Sequence, residues 1–167
     1  ERGYLREAGN LVFHLSVLVV LVGFALGSLF GYKGGVILLV GDDYGFSNNL
    51  TQYDDFDPGS LFRASDMEPF SFTIDDFSVD WLLTGPRAGM ARGFSSRLSY
   101  QESPDAAVKS YDLKVNHPLS IGNTDVFLIG HGYAPVITIR DGNGDVVKSE
   151  PVPFLPVDQS FSSIGVV

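Results

Sequence analysis

The side chains best suited to chemistry are three histidines, His14, His117 and His131, together with scattered carboxylates. Imidazole serves as a general base, a proton carrier or a metal ligand, so its surroundings decide which role is open to it. His14 lies inside an apolar run, where an ionisable group is costly unless it meets a partner, a cofactor or water. Neutral imidazole is a good iron ligand, which makes His14 a candidate metal ligand. The alternative is an interfacial histidine bonded to a neighbouring backbone group. His117 precedes Pro118, which favours extended backbone, and His131 stands between Gly130 and Gly132 at an expected bend. Neither comes with a matched motif, and both read as structural or hydrogen-bonding residues.

Other chemical signatures fail on spacing. Asp141-Gly142-Asn143-Gly144-Asp145 begins like a calcium loop, but Val146 and Val152 stand where an EF-hand needs Gly and Glu. The segment reads as a turn. Asp54-Asp55-Phe56-Asp57 reads as a solvated loop, and neither a phosphate-binding glycine loop nor a G-x-S-x-G nucleophile elbow occurs. With no cysteine, the chain has no disulfide, thiolate metal site, Cys nucleophile or C-x-x-C-H haem attachment site of its own. With 11 basic and 20 acidic residues and a net charge of -9, it lacks the basic face that nucleic-acid binding requires.

The element that must position His14 is a membrane helix. Residues 8–32 carry no Asp, Glu, Lys or Arg. As a helix they extend about 37 Å, against a hydrocarbon core of about 30 Å. A secretory signal peptide would have a shorter apolar region and an A-x-A-like cleavage site, and neither feature is seen. Arg2 and Arg6 flank the first end and Lys33 the second. The positive-inside rule then puts the N-terminus inside and the larger domain outside. Charges before the run cancel, so the whole net charge of -9 belongs to residues 32–167.

Gly23, Gly27 and Gly31 recur every fourth residue and fall within about 80° of one another on a helical wheel. Small residues in such a row let helices approach closely in lipid. His14 lies roughly 140° from Gly27 on that wheel, so the helix is expected to pack on more than one side.

From Gly34 onward the apolar pattern alternates with period two, the mark of half-buried strands. Val36–Val40 reads as a first strand, and residues 42–69 as loops with a single helical turn. Phe70, Phe72 and Ile74 alternate with polar residues. The phase slips at Asp75-Asp76 and resumes at Phe77, Val79 and Trp81, which predicts a bulge at that pair. Further strands are expected over 94–100, 111–115 and 125–129, and a hairpin joins 136–139 to 145–148 across Asp141-Gly142-Asn143-Gly144. The expected core is Phe70, Phe72, Ile74, Phe77, Val79, Trp81, Leu113, Val115, Phe127 and Ile129. The fold class is therefore mainly β: an N-terminal transmembrane helix and flank (1–33), then an antiparallel β-sandwich or barrel-like extracytoplasmic domain (34–167). The whole reads as a fragment of a longer multi-pass protein.

Tyr4-Leu5-Arg6-Glu7-Ala8-Gly9-Asn10-Leu11, the helix Phe13-His14-Leu15-Ser16 and the glycines after it resemble the ResB family (CcsB-type) of cytochrome c biogenesis proteins. So do, in order, Leu50-Thr51-Gln52-Tyr53-Asp54, Phe70 to Phe77, Val115-Asn116-His117-Pro118-Leu119 and Gly130-His131-Gly132-Tyr133-Ala134-Pro135. The resemblance implies a membrane subunit acting with a ResC (CcsA-type) partner. Together the two would carry haem across the membrane for thioether attachment to apocytochrome c. It also implies that His14 is an axial ligand to iron of a transiently held haem b near the cytoplasmic side. The family's other membrane helices are missing from this chain, and the tryptophan-rich haem-handling motif belongs to the partner, so no catalysis by the fragment alone is implied. A competing expectation is a membrane-tethered β-sandwich ectodomain with a structural or adhesive role.

Overall fold

A computed structural model describes residues 2–158 and 162–166, with side-chain surroundings from Gly3 and then from Glu7 onward. Helix α1 (Arg2–Phe30) is followed by strands β1 (Tyr32–Gly35), β2 (Phe46–Ser47), β3 (Asp55–Pro58), β4 (Ser71–Trp81), β5 (Ala91–Gln101) and β6 (Lys109–Lys114). Then come β7 (Leu119–Ile121), β8 (Thr124–Val126), β9 (Val136–Arg140), β10 (Val146–Pro151), β11 (Leu155–Pro156) and β12 (Ser163–Ile164). The class is mainly β with antiparallel sheets, as expected, and closure into a barrel is not found among the described residues. The chain forms two compact units, one of residues 1–36 and 49–67, the other of residues 37–48 and 68–167.

The first unit is built on α1. Its stretch Glu7–Phe30 has a mean hydropathy of 2.3 and is not buried by the rest of the chain, so its apolar surface is not that of a soluble core helix. Interior carbonyls bond within the helix, but the last turn leaves several without an intrahelical donor. A later segment supplies donors. The N–H of Gly59 donates to the Gly31 carbonyl at 2.8 Å, and that of Leu61 to the Leu29 carbonyl at 2.8 Å. Gly59 is required for this approach, because a Cβ there would meet the Ser28 and Leu29 carbonyl oxygens. β1 and β3 form a two-stranded ribbon with Tyr32 opposite Pro58 and Gly35 opposite Asp55.

Against the ribbon Tyr32, Tyr53, Phe56 and Phe62 gather. Ring centroids are 5.3 Å apart for Tyr32–Phe62, 5.5 Å for Tyr32–Phe56 and 5.2 Å for Tyr53–Phe56. Gly34 lies under the Tyr53 ring, where a Cβ would overlap it. Burial, and after it the neighbouring Tyr32, holds the Tyr53 hydroxyl well above its ordinary pKa of 10.0.

The second unit centres on a four-stranded antiparallel sheet ordered β2-β4-β5-β6. Register shifts between Ile74 and Asp76, the bulge that the sequence predicts. Because of it Phe72, Ile74, Phe77 and Val79 stay in one phase, opposite Tyr100, Leu98, Ser96 and Phe94. Leu98 is 1% exposed and Leu113 4%, and a fully buried aliphatic side chain of this size stabilises by about 1.5–3 kcal/mol. Phe46 and Phe70 complete the buried cluster, with Phe46 5.2 Å from Phe72 by ring centroids. The hairpin β9–β10 also forms as expected. In its turn Gly144 takes the left-handed φ of +91°, and the Asp141 carboxylate accepts from the N–H groups of Asn143 and Asp145, each at 2.9 Å.

Several expectations are corrected. Val36–Val40 is not a strand: pairing with β3 uses Tyr32–Gly35 instead, and residues 37–40 line an apolar cleft of about 340 Å³ beside Tyr44, Tyr133 and Phe154. Residues 42–69 are not loop throughout: they hold β2, β3 and two short 3-10 turns, Leu50–Gln52 and Ala64–Asp66, and Asp55, Phe56 and Asp57, expected in a solvated loop, pair with β1. The strand expected over 125–129 stops at Val126, leaving Phe127 58% and Ile129 89% exposed. Val115 falls in the turn after β6, and Trp81 is the last residue of β4, paired with Ala91, and both are exposed. Ile74, Phe77 and Val79 are only half-buried, and Phe46, Leu98, Leu119, Ile121 and Val152 are buried although not expected in the core.

Candidate functional site

The helical pitch sets His14 one turn beyond Asn10. Its Nδ1 lies 2.8 Å from the Asn10 carbonyl oxygen. A carbonyl can only accept, so Nδ1 carries the proton and donates; in the neutral ring Nε2 then keeps its lone pair. That is the arrangement found where a histidine ligates through one nitrogen while the other is held by a hydrogen bond. Phe13 presents its ring edge-on to the imidazole at 5.6 Å. Glu7, Ala8, Asn10 and Leu11 line a shallow concavity beside His14 on the helix surface. In its neutral form this donor suits a haem iron: one imidazole nitrogen on the exposed face of an apolar helix. One helix face cannot enclose a macrocycle, and among the described residues no group of three or more His, Asp or Glu side chains converges into a metal cage.

Gly23 and Gly27 lie on α1, and outside the adjoining helix backbone no described atom comes within 4 Å of where a Cβ would stand. They leave a strip of bare backbone on the exposed helix. Gly31 lies one residue past the helix, donating its N–H to the Gly27 carbonyl at 2.9 Å, and a Cβ there would meet that carbonyl oxygen.

The other two histidines sit apart from this helix in sequence and in element. His131 packs against aromatic rings, 4.5 Å from Phe94 and 5.7 Å from Phe77 by centroid. His117 is exposed in a turn, its N–H donating to the Lys114 carbonyl at 3.0 Å, just after Asn116 in the left-handed region at φ 63°.

The sequence reading missed the closure of α1 by Gly59 and Leu61 and the aromatic cluster at its end. A glycine between Pro58 and Ser60, followed by Leu61 and Phe62, was the available signal of a close approach.

The chain is 26% identical over 158 residues to the cytochrome c biogenesis protein CcsB of Thermosynechococcus vestitus (strain NIES-2133 / IAM M-273 / BP-1), covering 95% of this chain and 32% of that protein. It thus spans about a third of the length of that relative. No solved structure matches. The model of the ResB-like family matches residues 1–167, and the chain belongs to that family.

Proposed function

We propose that this chain is part of a membrane subunit of the cytochrome c assembly machinery, helping to carry haem across the membrane and present it for covalent attachment to apocytochrome c. Family membership and the relative's name support the cytochrome c biogenesis role. The apolar, unburied helix Glu7–Phe30 supports a place in the membrane. The observation carrying the haem reading is the exposed place of His14 on the apolar helix; its Nδ1 contact with the Asn10 carbonyl is the backbone bond that the alternative, an interfacial histidine, also expects, and it is compatible with ligation through Nε2.

In this reading His14 would hold the iron of a b-type haem through Nε2 near the cytoplasmic face. When bound, the haem brings the vinyl groups that become thioethers on the C-x-x-C-H cysteines of apocytochrome c. Asn10 orients the imidazole through its backbone. The flank of Gly23 and Gly27, with Gly31 at the helix end, lets a neighbouring helix approach and close the pocket. The partner is a ResC (CcsA-type) membrane protein, and the β-rich unit stands on the extracytoplasmic side, where it can meet the partner or apocytochrome. Arg2 and Arg6 before the helix agree with that orientation. Affinity purification of the full-length membrane protein tests this: haem and a multi-helix partner should travel with it. A purified protein that brings neither, from cells that assemble cytochrome c, would overturn it.

A further inference from the structure

The closure of α1 places an apolar loop at the depth of the helix's own last turn. Leu61 donates its N–H to the carbonyl of Leu29, which lies within the apolar stretch Glu7–Phe30. Leu61 is 51% exposed, and on the last turns of α1 Leu26 and Phe30 are 52% and 54% exposed. If Leu29 lies at the boundary of the hydrocarbon, Leu61 lies there too. Backbone groups at that depth must find partners inside the protein, since lipid offers none, and the N–H groups of Gly59, Leu61 and Phe62 find them in the carbonyls of Gly31, Leu29 and Gly59. Aromatic rings follow at once in Tyr32, Phe56 and Phe62, the kind of side chain that favours the membrane–water interface. Arg63, exposed and next in sequence to Phe62, supplies a cation where lipid phosphates lie.

We infer that the loop Gly59–Phe62 is a lipid-binding collar, inserting Leu61 among the upper acyl chains of the phospholipid bilayer beside the outer end of α1. The inference rests on α1 spanning the membrane. Insertion fixes the depth of the helix, because tilting or sliding α1 would drag Leu61 out of its apolar surroundings or push Arg63 into them.

The absence of cysteine permits a direct test. Single variants Leu61→Cys, Leu18→Cys and Asp105→Cys of the full chain are labelled with a nitroxide in vesicles of phosphatidylcholine and phosphatidylglycerol. Power saturation then compares collisions with oxygen, which enriches in lipid, and with a water-soluble nickel chelate. The label at 61 should show an oxygen-to-nickel ratio several-fold above that at 105 and below that at 18. Ser60→Cys, also exposed, serves as a second label in the same loop and should give a ratio above that at 105. A deep label at 18 with 60 and 61 both as aqueous as 105 overturns the collar alone. A label at 18 as aqueous as 105 overturns the spanning helix and the collar together.

Discussion

His14 Nδ1 and the Asn10 carbonyl oxygen lie 2.8 Å apart across one helical turn, and this contact decides which ring nitrogen faces away from the helix. In the chain alone, nitrogen NMR of labelled His14 should show a protonated Nδ1 and a lone pair on Nε2. The opposite tautomer would remove the basis for ligation through Nε2.

Gly59→Ala puts a methyl group against the carbonyl oxygens of Ser28 and Leu29. Forcing an extra carbon into a filled site costs about 1–3 kcal/mol, and two backbone bonds at the helix end are strained with it. Proteolysis within residues 49–67 should accelerate, while the hairpin β9–β10 in the other unit keeps its protection from hydrogen exchange. Equal cleavage rates in variant and parent would mean that the segment does not close the helix end.

Gly27→Leu starts from open space on α1, where a Cβ has no described neighbour within 4 Å outside the adjoining helix backbone. Thermal unfolding of the chain should therefore hardly move, whereas recovery of the proposed membrane partner should fall several-fold. Undiminished recovery would show that the flank is not a packing surface.

Tyr53 keeps its proton in the folded state to a pH above its ordinary pKa of 10.0, chiefly through burial. The folded form then binds more protons than the unfolded form once pH exceeds that ordinary value, so stability contributed by this group is complete below it and declines as pH rises. Ultraviolet titration should show one tyrosine ionising late, and Tyr53→Phe should abolish that late step. Retention of the late step in the variant would assign it to another ring.

What the sequence disclosed, it disclosed through local pattern. The slip of phase at Asp75-Asp76 is a bulge, because an extra residue is the way two apolar sets of period two can share one face. Asp141-Gly142-Asn143-Gly144 is a hairpin turn, because its glycine and Asp side chain satisfy the bend without help from afar. Val36–Val40 misled, since an apolar run shows hydrophobicity but not whether a partner strand exists; the neighbouring Tyr32–Gly35 found that partner in β3. Phe127 and Ile129 misled in the same way, lying past the end of β8. The link from Leu61 to Leu29 joins residues far apart in the chain, and no periodicity records such a contact. For the site, His14 was legible as an ionisable group within lipid-compatible sequence, whereas its tautomer needed the geometry of the Asn10 carbonyl.

The most direct test of the account replaces the ligand and then returns it. In the full-length protein with its partner, His14→Gly should lose haem or shift its Soret band, and added imidazole should restore both the band and cytochrome c assembly. Unchanged haem content and spectrum in the His14→Gly complex would contradict the role of His14 as an axial ligand.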